Sequence, residues 1–111
     1  MRHPVGISDI GNDNLKLLKT ILTITGSDST GGSGVQADIR TISALGGYAV
    51  SAVTSITVQN TLGIQAFHDL PADIVKGQIE ATINDVQPDT VKVGMIRTME
   101  TLAVVVDALL K

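Results

Sequence analysis

A chain of 111 residues with 43% hydrophobic residues suits one small domain, long enough to bury on the order of 65% of its unfolded surface around a core. A net charge of −3 leaves no basic patch to supply counterion release, which excludes nucleic acid and an anionic membrane as expected partners. With no cysteine there is no disulfide framework or thiolate chemistry, and two histidines far apart, His3 and His68, make a poor metal site, so the default compartment is the cytoplasm.

Residues 1–19 mix charge, Pro4, Gly6, Gly11 and Asn/Asp pairs with no sustained apolar period, and are expected to form a mobile N-terminal extension to a domain over 20–111. Asp9, Asn12, Asp13 and Asn14 interrupt the only candidate apolar core, so the segment does not read as a secretory signal. No stretch is long and apolar enough to span a bilayer.

From Ile21 to Thr25 a β-branched run predicts a short buried strand, bounded by Gly26 and a polar segment. Glycines at 26, 31, 32 and 34 permit close backbone approach to a ligand, and a helix beginning after Gly34 offers free N–H groups and the positive end of its dipole to an anion or polar ligand. Val35, Ile39, Ile42 and Leu45 form one apolar stripe at helical spacing, and Asp38 falls inside it. A carboxylate on a buried face needs a partner, either the loop's own N–H groups or a ligand.

Gly46 and Gly47 stop this helix where a left-handed cap belongs. Tyr48 to Val58 is β-branched and predicts a second strand, ended by Gln59, Asn60 and Thr61; Gly63 to Phe67 predicts another, after a sharp reversal or hairpin at Thr61-Leu62-Gly63. Pro71 stands near the first position of a helix carrying Val75, Ile79, Ile83 and Val86 at helical spacing, which should stop before Pro88. Thr90 to Val93 is a short strand, and Thr98 with Glu100 opens a last helix to Leu110, apolar nearly all round and expected to be covered on more than one side.

Strands alternating with helices imply an α/β fold with a mainly parallel sheet and right-handed crossovers. In such sheets ligands bind beyond the carboxyl ends of strands, here the loops at 26–34, 59–61 and 94–97. A phosphate-loop reading fails because Gly32 stands where the lysine belongs, and no register through the glycines gives the dinucleotide pattern G-x-G-x-x-G. Composition and pattern therefore lead to a small-ligand site on an α/β sheet.

The segments GSDSTGGSGVQAD, LGGYAVSAVTSITVQNTLGI and DTVKVGM occur in the order and spacing found in the N-terminal half of the hydroxymethylpyrimidine/phosphomethylpyrimidine kinases of thiamine biosynthesis, and from Thr20 onward the chain resembles that family of the ribokinase-like superfamily. Ser29-Thr30 and Ser33 stand where the family often has Pro-Ser and Ala. The resemblance implies a ribokinase-like fold, here incomplete, and phosphoryl transfer from ATP, with Mg2+, to 4-amino-5-hydroxymethyl-2-methylpyrimidine and then to its monophosphate. It implies that Asp38 and Gln59 hydrogen-bond the aminopyrimidine, that Gly26 forms the backbone wall beside it and that Met95 covers the ring. Each residue type suits its role: an acceptor for an exocyclic amine, a two-sided amide for a ring edge, a soft thioether against a π-face. The family's glycine-rich anion hole, catalytic base and ATP and magnesium contacts lie in its second half, so no catalytic residue is assigned here, no cofactor is expected bound to this chain alone, and it is expected not to turn over by itself. The intact enzyme is expected to be a homodimer. Two other readings stand beside this one, a pyridoxal or pyridoxine kinase of the same superfamily and a non-enzymatic pyrimidine-binding module.

Overall fold

The computed structural model describes residues 18–110. The expected mobile extension thus lies, but for its last two residues, outside the described residues. The elements run β1 (Thr20–Asp28), α1 (Gly34–Ala44), β2 (Tyr48–Asn60), β3 (Gly63–Asp69), α2 (Ala72–Val86), β4 (Thr90–Val93) and α3 (Met99–Leu109). They build one sheet in the order β3-β2-β1-β4. Both neighbours of β1 run parallel to it, and β3 returns antiparallel on β2 as a hairpin. The mainly parallel α/β sheet expected from the strand and helix alternation is the one observed.

Strand alternation sends the side chains of β1 to opposite faces. Leu22 and Ile24 point to one face, where they join Ala52, Val75, Ile79, Val105 and Ala108 in the main core beneath α2 and α3. On the other face α1 lies over β1 and β2, burying Val35 and Ile42. Its apolar stripe is narrower than the sequence suggests. Ile39 is 38% exposed and Leu45 83%, so the face toward the sheet is Val35, Asp38 and Ile42. Gly46, at φ 88°, ends the helix in a Schellman cap: its N–H donates to the Ser43 carbonyl and that of Gly47 to the Ile42 carbonyl.

Boundaries differ in several places. β1 does not stop at Gly26 as expected but continues through it to Asp28, where Ser27 and Asp28 pair with β2. Antiparallel pairing of Gln59 with Ile64 and of Asn60 with Gly63 carries β2 through the two polar residues expected to end it, and extends β3 to Asp69. Pro71 is the N-cap of α2, one place earlier than expected. At the other end of α2 the expected stop holds, with Gln87 in the left-handed region at φ 53° just before Pro88. The last helix buries Thr101, Val105 and Ala108, but Leu102, Val106 and Leu109 remain exposed among the described residues. One side of it is covered, not several.

β3 ends before it can pair with the lower half of β2, which would leave the Val53 peptide groups without partners on that side. Gln78 of α2 replaces the missing strand: its Oε1 accepts from Val53 N–H at 2.9 Å and its Nε2 donates to Val53 C=O at 2.8 Å. Removing a partner from a half-buried peptide group costs about 1–3 kcal/mol. Gln78→Ala is therefore expected to destabilise the fold by about that amount in urea unfolding; an unchanged midpoint would mean that solvent satisfies Val53 equally well.

Candidate functional site

At the carboxyl ends of the strands lies a cavity of about 170 Å³ lined by Thr25, Gly26, Ser27, Asp28, Ser33, Gly34, Thr57, Gln59, Ile64 and Met95. It is small beside the ~300–1,000 Å³ of sites for drug-sized ligands, and suits a single ring. Its position is created by a β-bulge. Thr25 pairs with Val53 but Ser27 pairs with Ile56, so Gly26 stands alone opposite two residues of β2.

Two glycines bring the walls together. A Cβ on Gly26 would collide with the Met95 Cε and approach the Ser55 carbonyl to 3.3 Å. Gly34, the first residue of α1, has φ 64° and is packed against the Gly26 carbonyl, where a Cβ would overlap it. The Met95 backbone is held from both central strands: its N–H donates to Thr25 Oγ1 at 3.1 Å and its carbonyl accepts from Thr54 Oγ1 at 2.8 Å. The thioether is thereby fixed over Gly26.

The loop between β1 and α1 is organised by Asp28, which is buried. Its Oδ1 accepts from Thr30 N–H at 2.9 Å and Thr30 Oγ1 at 2.8 Å, and its Oδ2 from Ser33 N–H at 3.0 Å and Ser33 Oγ at 2.9 Å. Gln36 closes the loop from the helix side, accepting from Asp28 N–H at 2.8 Å and donating to Ser27 Oγ at 2.7 Å. Arg40 adds a bond to the Gly31 carbonyl. Ser33, the N-cap of α1, thus gives its N–H to the chain's own carboxylate, and Asp28, Ser33 and Gly34 line the cavity from this side.

Of the four site residues expected from the sequence, the structure brings together Gly26, Gln59 and Met95 and places Asp38 elsewhere. Asp38 lies over the middle of the sheet, where Lys92 Nζ donates to its two oxygens at 2.9 and 2.8 Å and Thr23 Oγ1 donates at 2.6 Å. The buried-face carboxylate does have its partner, but the partner is a strand side chain, neither the loop nor the cavity. Burial pushes the Asp38 carboxyl up, and the Lys92 and Thr23 hydrogen bonds with the lysine charge outweigh it, leaving the pKa below 3.8.

Sequence reasoning missed Asp28, Gln36 and Thr57. Asp28 carried a legible signal, since Asp followed two residues later by Thr favours an Asx turn, which is what Thr30 N–H makes. Gln36 carried none. On the far side of the hairpin, Arg97 stacks 3.7 Å from the Phe67 ring centroid and pairs with Asp69 at 2.8 Å, closing the 94–97 loop against β3.

The sequence profile of the phosphomethylpyrimidine kinase family matches residues 28–111. Hydroxymethylpyrimidine/phosphomethylpyrimidine kinase of Mycobacterium leprae is 46% identical over 91 residues, covering 82% of this chain and 33% of that protein. The crystal structure of phosphomethylpyrimidine kinase from Clostridium difficile superposes with a TM-score of 0.79 at 48% identity, over 82% of this chain and 39% of the other. Pyridoxal kinase from Staphylococcus aureus, in complex with AMP-PCP and pyridoxal, gives 0.74 at 34%, over 83% and 35%. The chain spans about a third of the length of the curated relatives it matches.

Hydrogen bonds from Thr30 and Ser33 hold the Asp28 carboxyl below its ordinary 3.8, against the opposing effect of burial. A carboxyl whose pKa is lowered on folding adds stability that is complete above its unfolded value and disappears as pH falls through its folded one. The loop is therefore expected to stay closed at pH 4–8 and to open only below about 3.8. Amide NMR shifts of Thr30 and Ser33 should move together with a midpoint under that value; a midpoint above it would show that the carboxylate is not held as described.

Proposed function

The chain belongs to the phosphomethylpyrimidine kinase family, and we propose that its strand-end cavity is the pyrimidine-holding part of a kinase acting on 4-amino-5-hydroxymethyl-2-methylpyrimidine and its monophosphate in thiamine biosynthesis. The observation that carries this reading is the convergence of Gly26, Gln59 and Met95 on one ring-sized cavity. Gly26 supplies a flat backbone wall with no Cβ, Met95 a polarizable cover for a π-face, and Gln59 an amide for the polar edge of the ring.

Asp38 enters this reading as a positioning residue. By tying α1 to Thr23 and Lys92 it holds the helix whose first residue, Gly34, lines the cavity. Asp38→Asn should then lower thermal stability with little change in ligand affinity. A loss of affinity at unchanged stability would instead assign the carboxylate to the ligand.

ATP, and Mg2+ with it, is the phosphoryl donor we propose for the full-length enzyme, in keeping with the AMP-PCP complex of the related pyridoxal kinase. Among the described residues there is no cluster of three or more acidic or histidine side chains able to hold a metal ion, so no step of the transfer is placed on them. Phosphoryl transfer depends on positioning and on neutralising charge around the transferred group, and we assign that work to parts of the enzyme beyond these residues. The full-length enzyme we take to be a cytoplasmic homodimer; among the described residues no helix is long and apolar enough to cross a membrane.

The test is calorimetric titration of the 111-residue chain with the aminopyrimidine, with ATP-dependent turnover assayed in parallel. Binding without turnover is expected, and Gln59→Ala should weaken binding about tenfold, the scale of one or two neutral hydrogen bonds. Turnover by the chain alone, or undiminished binding by Gln59→Ala, would overturn the reading. Tighter binding of pyridoxal than of the aminopyrimidine would favour the pyridoxal kinase alternative, for which the Staphylococcus aureus superposition is the specific support.

A further inference from the structure

Gln59 approaches the cavity with one end of its amide already engaged, and the engagement has a direction. Thr57 Oγ1 lies 2.9 Å from the Ser27 carbonyl oxygen, which can only accept. The single hydroxyl proton of Thr57 is therefore committed to Ser27, and whatever else touches Thr57 Oγ1 must donate to it. The Gln59 amide group does so at 2.6 Å, so the atom facing Thr57 is the nitrogen, Nε2. Amide oxygen and nitrogen are otherwise near-equivalent in shape, and a free glutamine can present either. Here Thr57 is 6% exposed and sits in the β1–β2 ladder opposite Asp28, so it cannot turn away to release the amide.

We infer that Thr57 is a specificity-determining positioning residue, which fixes the polarity of the Gln59 amide so that the cavity selects a ring carrying an amino group beside a ring nitrogen. We take the Nε2 proton spent on Thr57 to be the one anti to Oε1, which leaves Gln59 its syn N–H donor and the Oε1 acceptor side by side. That pair matches an edge with a donor next to an acceptor, the amidine edge of a 4-aminopyrimidine. A pyridine with a methyl group beside its nitrogen and a hydroxyl one carbon further on offers no such pair. If the amide were free to rotate by 180°, donor and acceptor could exchange places, a lone ring nitrogen could be met by the N–H in either position, and discrimination would fall. This inference rests on the assignment of the cavity to the pyrimidine, and adds to it the residue that sets the choice of ring.

Two measurements separate the inference from that assignment. The first needs no ligand: in the wild-type chain, side-chain amide NMR should show nuclear Overhauser contacts from Gln59 Nε2 protons to Thr57, with one of the two protons shifted downfield. Thr57→Val, which replaces the hydroxyl by a methyl of similar size, should abolish the shift, and Thr57→Ser should restore it. An unshifted Gln59 amide in the wild type, or an unaltered one in Thr57→Val, overturns the inference whether or not any ring binds. The second is affinity: for Thr57→Val the ratio of aminopyrimidine to pyridoxine binding should fall about tenfold, with Thr57→Ser near wild type. Equal losses for both rings would mean that Thr57 only supports the strand, and would overturn the inference. If the wild type shows the amide contact and binds neither ring, the pyrimidine assignment fails and the claim of ring selection fails with it, while the orientation of Gln59 stands on its own result.

Discussion

The cavity at the strand ends depends on how closely three segments of backbone approach one another. The tip of β1, the first turn of α1 and the segment after β4 meet around Gly26, with Gly34 against its carbonyl and the Met95 thioether against its Cα. Gly94 repeats the constraint one step away, where a side chain would run into the Thr25 hydroxyl. At Gly34 the atom that a Cβ would overlap is the Gly26 carbonyl, which no rotamer change can move aside, whereas at Gly26 it is the mobile end of the Met95 side chain. The cavity is the space left once these contacts are made, and its dimensions are fixed by main chain on one wall and by a single methionine over it.

Polarity in the sheet follows a similar economy. The buried hydroxyls of Thr23, Thr25, Thr54 and Thr57 are each hydrogen-bonded, to the Asp38 carboxylate, the Met95 N–H, the Met95 carbonyl and the Ser27 carbonyl in that order. Among the described residues no buried side-chain nitrogen or oxygen is without a hydrogen bond. Threonine is suited to this use, since it keeps the β-branched shape that strands favour and adds one directed donor and an acceptor. Asp28 works in the same way at the loop, gathering four donors from Thr30 and Ser33 on one carboxylate.

The element order was legible because it rests on local signals, and a cavity does lie at the strand ends where the topology rule places a ligand. The β-branched runs, the glycine cap after Ala44 and the proline after Gln87 each act on their own neighbourhood. Gly26, Gln59 and Met95 were placed through the family resemblance together with the strand-end rule, and they do meet. What the sequence could not show are the partners set by the third dimension. Asp38 reads as a lone carboxylate on an apolar stripe because Lys92 is 54 positions away and faces it only through the pairing of Thr23 with Lys92 in adjacent strands. Gln36 and Gln78 look like ordinary solvated helix residues, and their work in closing a loop and completing a strand depends on which backbone groups lie beneath them. The width of the α1 stripe was overestimated for a related reason, since periodicity marks a face but not how far the opposing sheet extends.

The bulge at Gly26 divides β1 into two lengths with different neighbours. Below it, Ile21 to Ile24 are flanked on both sides, by β2 and by β4; above it, Ser27 and Asp28 pair with β2 alone. The lower length is locked into the core, and the upper one is a peninsula that carries the β1–α1 loop. Substitutions on the peninsula change the wall of the cavity while the pairing of Ile21 to Ile24 with β2 and β4 beneath is left in place, so the shape of the cavity and the register of the sheet rest on separate stretches of one strand.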